Sequence, residues 1–303
     1  MAKNNTQTSK LHTRNKHHNG YDFRYLKKKN HNLQPFVFVN DFGTETIDFA
    51  NPKAVFELNK ALLLAYYKVK HWEIAKDSLC PAIPGRADYI HYLADLLTDG
   101  EDNNIPTGSS VNILDIGTGA SLIYPLIGVS EYDWNFTVTE TDQISLHHAE
   151  ANIDKNPGLK EKIQLRFQED DSKILEGIIN EQDKYDAVMC NPPFFKSREE
   201  NWKSSSKKSA NLTKNKDAIT IQNFGGRPNE LWYKGGEQAF ITQLIYDSLK
   251  HKAQLGWITS LVADRKHLKP LRSILEYHKA AEIRVLETKQ GQKTSRILAW
   301  RWW

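Results

Sequence analysis

The chain has 303 residues, 39% hydrophobic and 26% charged, with a net charge of +4. That composition supports one large domain with additions or two modest ones, and excludes a chain disordered throughout. The longest apolar stretch, Ala61 to Tyr67, is far too short to span a bilayer, and no apolar signal core opens the sequence. Two cysteines, Cys80 and Cys190, cannot build a disulfide framework or by themselves a tetrahedral zinc site. A cytoplasmic, metal-free protein with no membrane contact and no obligate protein partner is expected.

The charge is uneven. Residues 1–31 hold eight Lys/Arg, one acid and four histidines, leaving 33 Lys/Arg against 36 Asp/Glu in the rest. The segment is poor in aliphatics and reads as a mobile basic arm, either a nucleic-acid contact or a solubilising tail. Order is expected to begin near Leu33. Asn51-Pro52 is a cap followed by a first-turn proline, so a helix starts there and runs to about Lys76. After the rigid Cys80–Arg86 connection a second helix covers about Ala87–Leu97. Residues 32–107 thus read as a small helical N-terminal module, bounded by the polar loop Thr98–Ser110.

From residue 108 the pattern alternates. Strands are expected at Val111–Ile116, Phe136–Thr139, Ile163–Phe167, Tyr185–Cys190 and Gly256–Leu261, with Ile283–Leu286 and Arg296–Trp300 as a closing pair. Helices are expected from Ser121, at Gln143–Ile153, near Ile174–Asn180, at Glu237–His251 and at His267–His278. Alternation of this kind predicts an α/β fold: a mostly parallel, Rossmann-like sheet with helices on both faces and ligands at the carboxyl ends of its strands. A long Lys-rich insertion, 196–236, leaves the fourth strand. Lys203, Lys207, Lys208 and Lys214 in it suit a phosphate backbone, unless it is a surface insertion that contacts nothing.

Three motifs carry chemistry. Asp115-Ile116-Gly117-Thr118-Gly119-Ala120-Ser121 joins a strand to a helix. Its small residues allow close backbone approach and its helix start offers free N–H groups. Leu122 stands where a dinucleotide fingerprint has its last glycine. Glu140, or else Asp142, ends the next strand, where a carboxylate can accept from ribose hydroxyls. Asn191-Pro192-Pro193-Phe194 ends a buried strand. An amine on a planar base has its lone pair delocalised into the ring. Two acceptors on its hydrogens, the Asn191 amide oxygen and the Pro192 carbonyl, would draw it toward tetrahedral geometry. Pro192-Pro193 fixes the backbone, and Phe194 offers a stacking face.

The Asp115–Ser121 and Asn191–Phe195 motifs resemble class I S-adenosylmethionine-dependent methyltransferases acting on exocyclic amines. With Pro84–His91, Phe224–Gly226, Glu230–Glu237 and Gly291–Arg296, the chain resembles more narrowly the bacterial 23S rRNA (adenine(1618)-N(6))-methyltransferase family over about residues 30–303. The resemblance implies a seven-stranded class I fold and S-adenosylmethionine as cofactor. It implies 23S rRNA or a large-subunit precursor as partner. Asp115, Gly117, Gly119 and Ser121 would line the cofactor pocket, Glu140 would hold the ribose, and Asn191 would touch both cofactor and amine. Arg86 would meet the methionine carboxylate; by its residue type alone it is equally an ordinary ion-pair partner. Within Gln168-Glu169-Asp170-Asp171 an adenine contact is expected, carried by Gln168 as candidate with its neighbours left open. Lys293 and Arg296 would grip RNA phosphates. Rival readings are methylation of a protein glutamine, for which the fourth motif residue is usually Tyr, methylation of DNA adenine, or a non-catalytic RNA-binding assembly protein.

Overall fold

The computed structural model describes residues 11–75, 78–98, 104–193, 232–290 and 293–303. Nine strands and seven helices follow in chain order among them, with two short 3-10 turns at His31–Phe36 and Arg265–His267. Helix α1 is Phe23–Lys29, strands β1 and β2 are Val37–Val39 and Glu45–Ile47, and helices α2 and α3 are Pro52–Tyr66 and Ile83–Leu97. Then come β3 (Asn112–Ile116), α4 (Ile123–Tyr132), β4 (Asn135–Glu140), α5 (Gln143–Asp154), β5 (Ile163–Phe167) and β6 (Tyr185–Cys190). The described chain closes with α6 (Gly236–Lys250), β7 (Leu255–Val262), α7 (Leu268–Tyr277), β8 (Glu282–Gln290) and β9 (Lys293–Arg301).

Strands β3 to β9 form one seven-stranded sheet in the order β5-β4-β3-β6-β7-β9-β8, and β1 and β2 form a separate hairpin. Strands β3 to β7 run parallel, while β9 is antiparallel to both β7 and β8. The chain winds outward from β3 through β4 to β5, then returns to the other side of β3 as β6. The order therefore reverses between β3 and β6, which is where α/β sheets bind ligands. Ile116, the last residue of β3, lies opposite Cys190, the last of β6. The glycine loop and the Asn-Pro-Pro segment consequently leave adjacent strand ends in register.

Each face of the sheet has its own core. One buries Ile113, Phe136, Met189 and Ala299 against α3, α4 and α5. The other buries Leu114, Val188, Ile258 and Leu298 against Ile241 and Leu244 of α6 and Leu271 and Leu275 of α7. Buried on both faces, the central strands read as nearly continuous apolar runs.

The N-terminal reading is corrected in two respects. Residues 11–31 are docked rather than mobile. His12, Asn15 and His17 are buried, as are Phe23 and Leu26 of α1. The Asn15 amide donates to the Pro84 carbonyl at 2.8 Å and to Asp88, and the His12 N–H donates to Asp88 at 3.0 Å. The polar His12 and Asn15 satisfy a buried carboxylate on α3. Nor does the small N-terminal helical part, present as α1 to α3, have a core of its own, since one apolar cluster runs from Leu26 and Leu62 through Trp72 and Ile90 to Phe136 and Met189.

Two helix boundaries differ for local reasons. Helix α2 starts as expected, the Asn51 side chain accepting from Lys53 N and Ala54 N, but ends at Tyr66 rather than near Lys76. Beyond it Lys68 is left-handed. The N–H groups of Lys70 and His71 donate to Asn156 Oδ1 and that of Glu73 to Asn152 Oδ1, so side chains of α5 and its end replace helical bonds. No helix forms at Ile174–Asn180. The N–H groups of Ile174 and Leu175 go to buried Asp247 on α6, and Gly177 has φ +82°.

Candidate active site

A cavity of about 410 Å³ opens at the carboxyl ends of β3, β4 and β6. Its volume lies in the usual range for a small-molecule site. The strand ends deliver its chemistry. After β3 the loop turns through Gly117 (φ +70°) and Gly119 (φ +64°), both on the cavity wall. A Cβ on Gly117 would meet nothing within 4 Å, because it would project into open space. Gly117→Ala is accordingly expected to cost about 1–2 kcal/mol of backbone strain and to weaken S-adenosylmethionine binding by about tenfold. Thermal unfolding and titration calorimetry on the same preparation check both parts.

Leu122 also lies in the left-handed region, φ +53°, and caps α4 without a side-chain hydrogen bond. Its fully buried side chain compensates for strain of about 1–2 kcal/mol. The loop is held from outside by Trp72, whose indole N–H donates to the Ser121 carbonyl at 2.8 Å.

Glu140 ends β4, buried, and lines the cavity. Its Oε2 accepts from the Gly119 N–H at 2.9 Å and its Oε1 from the N–H groups of Thr141 at 2.8 Å and Asp142 at 3.0 Å. The carboxylate is thus fixed against the glycine loop. Asp142 instead caps α5, accepting from Ser145 N at 2.9 Å. Arg86 reaches the cavity from the first turn of α3. It donates to the Tyr124 hydroxyl at 2.8 Å and makes no ion pair among the described residues. An unpaired guanidinium on the wall suits an anionic ligand group.

Of the Gln168–Asp171 stretch, Gln168 and Asp171 line the cavity. The Gln168 side chain is engaged in its own loop, donating to the Glu176 carbonyl at 3.0 Å and accepting from Asp170 N at 3.1 Å. Asp170 accepts from Ser172. Asp171 makes no such loop contact and is the freer candidate for a ligand hydrogen bond.

Asn191 and Pro193 form the wall below β6. Among the described residues the Asn191 Oδ1 is buried without a hydrogen-bond partner. Native folds rarely leave such an acceptor unsatisfied, and a site is where they do. Pro192 is buried and not part of the wall. Phe194 and the lysines at 203, 207, 208 and 214 lie outside the described residues, as does the Lys293 side chain. Arg296 is 12% exposed and 3.8 Å from Glu287, so an RNA phosphate would compete with that carboxylate.

Asp115 departs from its expected place. It is buried beneath the glycine loop and is not on the cavity wall. Burial pushes its carboxyl up to about 7, Glu140's charge adding to the rise while the Thr118 hydroxyl and Arg86 oppose it. The unfolded chain ionises near 3.9. Between the two values the native state holds the extra proton, so stability falls as pH rises from about 4 to 7 and then levels. Asp115→Asn removes this component. The stability of the variant relative to wild type is expected to increase by a few kcal/mol between pH 4 and pH 8. Urea unfolding at both pH values measures it, and a constant difference would contradict the assignment.

The sequence patterns did not announce Tyr124, which orients Arg86, nor Lys173 on the wall. Tyr124 lies three residues beyond Ser121, in the first turn of the helix that the glycine motif opens, and that proximity was the one available signal.

Comparison with known proteins agrees with this site. A family model described as RNA methyltransferase matches residues 5–303. The chain belongs to that RNA methyltransferase family. It is 46% identical to the ribosomal RNA large subunit methyltransferase F of Flavobacterium johnsoniae, over 99% of this chain and 95% of that one. The Pectobacterium carotovorum protein of the same name is 48% identical with the same coverage. Among solved structures, the human METTL16 catalytic domain in complex with MAT2A 3′UTR hairpin 1 superposes with a TM-score of 0.81 at 29% identity, covering 97% of this chain and 96% of that one. The N-terminal domain of human METTL16 in complex with SAH does so with a TM-score of 0.75 at 28% identity, covering 97% and 99%. The family member described here is a class I methyltransferase by fold, with S-adenosylmethionine as its cofactor and RNA as its substrate class. The donor set fits that cofactor: glycine cradle, acid at the end of β4, and an arginine without an acidic partner among the described residues. Among the described residues no helix is long and apolar enough to cross a membrane.

Proposed function

We propose that this chain transfers a methyl group from S-adenosylmethionine to the exocyclic N6 of one adenine in the 23S rRNA of the large ribosomal subunit, the nucleotide numbered 1618 in the family it resembles. The observation that carries the reading is Asn191 on the wall of the cavity, its Oδ1 without a partner among the described residues, one strand away from the glycine loop. The cofactor supplies an electrophilic methyl group on a sulfonium. Arg86 holds its carboxylate, with the guanidinium oriented by Tyr124. Glu140 accepts from its ribose hydroxyls, and Asp171 or Gln168 meets its adenine. On the substrate side Asn191 Oδ1 accepts one amine hydrogen and the Pro192 carbonyl the other, which localises the lone pair on nitrogen. Phe194 stacks on the target base, which leaves its own stack to enter. No strong base is needed, since the proton leaves to water after transfer. Positioning of amine against methyl supplies much of the rate.

The lysines at 203, 207, 208, 214 and 293 and Arg296 contact the RNA backbone in this reading. Naked 23S rRNA or a large-subunit precursor is the substrate form. The compartment is the cytoplasm, where free thiols such as Cys80 and Cys190 persist. Nucleoside mass analysis of large-subunit rRNA from cells with and without the chain tests the proposal. One N6-methyladenosine per molecule should disappear with the gene. An unchanged nucleoside profile, or methyl groups on a protein glutamine instead, would overturn it.

A further inference from the structure

We infer that the Tyr89 hydroxyl is a positioning group for methyl transfer, pinning the end of β6 so that Asn191 is held at a fixed place relative to the cofactor pocket. The inference deepens the proposed function and rests on it. The paired register of β6 with β7 stops at Val188, two residues short of the strand end, while β3 still pairs with Cys190. Cys190 is the residue immediately before Asn191. On its unpaired side a helical side chain takes over from the missing strand. The Cys190 N–H donates to the Tyr89 hydroxyl oxygen at 3.3 Å, and the Cys190 carbonyl lies at 3.3 Å from the same hydroxyl. The Tyr89 hydroxyl also meets Thr259 Oγ1 at 2.9 Å, and Thr259 Oγ1 donates to the Val188 carbonyl at 2.9 Å.

Proton counting gives this chain a direction. Thr259 has one hydroxyl proton, and it goes to Val188. The Tyr89 proton then serves Thr259 Oγ1 or the Cys190 carbonyl, and its oxygen accepts from the Cys190 N–H. The relay begins and ends on the backbone of β6. It is buried throughout: Tyr89, Thr259 and Cys190 are each no more than 1% exposed. Water therefore cannot replace it.

The same helix serves the other half of the site. Arg86 lies three residues before Tyr89 on α3, hence on the same face. It donates to the Tyr124 hydroxyl, and the Tyr124 ring packs edge-on against Tyr89 with centroids 5.4 Å apart. One turn of α3 thus carries the cation placed for the cofactor and the hydroxyl that holds the strand bearing the amine acceptor. The distance between methyl donor and amine is set by this turn. A misplacement near 1 Å can cost about 100-fold in rate.

The test uses the full chain, S-adenosylmethionine and large-subunit RNA from cells lacking the gene. Tyr89→Phe is expected to lower the single-turnover transfer rate by about 10- to 100-fold, with the affinities for S-adenosylmethionine and RNA within about twofold of wild type. Thr259→Val, which breaks the relay from its other side, should slow transfer by a smaller factor, and the double variant should be no slower than Tyr89→Phe. Tyr67→Phe is the control. It removes another buried hydroxyl, bonded to His17 at 2.8 Å and away from the cavity wall, and should leave the rate intact. A purely structural Tyr89 would lower the unfolding temperature and leave the transfer rate of the folded protein unchanged; that result overturns the inference. If Tyr89→Phe does not fold, an unchanged rate in Thr259→Val overturns it. Absence of transfer by the wild type would overturn the function itself, a distinguishable failure.

Discussion

Asn191→Ala is expected to keep its fold and its S-adenosylmethionine affinity while losing about 100- to 1000-fold in methyl-transfer rate. The two halves of the expectation come from one feature. The Asn191 amide oxygen is buried and bonded to nothing among the described residues. Its removal breaks no internal hydrogen bond, and it relieves a desolvation cost of about 1–3 kcal/mol. The variant should therefore unfold at the wild-type temperature or slightly above. The lost rate arises because the oxygen acts on an amine whose lone pair is otherwise spread into the purine ring. Without the acceptor the nitrogen stays planar and poorly nucleophilic in the geometry the site imposes. The effect belongs to the transition state, so kcat should fall and cofactor affinity should not. Calorimetric titration with S-adenosylmethionine, thermal unfolding and single-turnover transfer read the three quantities separately. Transfer at the wild-type rate would remove Asn191 from its role, whatever the fate of the other residues.

The parallel strands were legible because each is a short apolar run closed by turn chemistry. Ile163–Phe167 and Tyr185–Cys190 match their expected bounds residue for residue, and α2 starts at the Asn51-Pro52 signal. The site was legible where a motif sits at a strand end. Gly117, Glu140 and Asn191 all reach the cavity because β3, β4 and β6 run parallel, so their carboxyl ends share one edge of the sheet. What escaped the reading is chemistry fixed by distant partners. Ile174–Asn180 has helical spacing, but the Asp247 carboxylate, far along the chain, takes its leading N–H groups. Asp115 looks like a ligand-facing acid in the motif, yet its strand position turns it under the loop into the core. Tyr89 lies in the Pro84–His91 stretch, which gives its hydroxyl no role; only the early end of the β6–β7 register makes that hydroxyl matter.

The N-terminal segment is the plainest case of composition misleading. Judged by charge, residues 11–20 would be dispensable for folding. The structure predicts the opposite, and deletion of residues 1–20 is expected to destabilise the protein by about 3–5 kcal/mol. The cost comes chiefly from Asp88. This carboxylate is 1% exposed on α3, and burial already pushes its pKa up, opposed by the Asn15 side chain and the His12 N–H. Deletion takes away both donors and leaves a buried charge uncompensated. Arg14 leaves as well, with its bonds to Asp95 at 2.6 Å, to the Tyr132 hydroxyl at 2.9 Å and to the His91 carbonyl at 2.8 Å. At about 2–4 °C per kcal/mol for a chain of this order of size, the unfolding temperature should drop by roughly 6–20 °C. Asn15→Ala, which removes only one donor, should show a smaller fall in the same direction. A second signature is the pH profile. Burial pushes His17 down to about 4, whereas an unfolded histidine ionises near 6.5. The unfolded chain thus binds the extra proton between those values, and stability drains from the full chain as pH falls from about 6.5 to 4. The truncated chain lacks that component. Because α3 also carries Arg86 and Tyr89, loosening it should weaken S-adenosylmethionine binding even where the truncated protein remains folded. A truncation that leaves the unfolding temperature and cofactor affinity untouched, and alters only RNA binding, would return these residues to the status of a free basic arm.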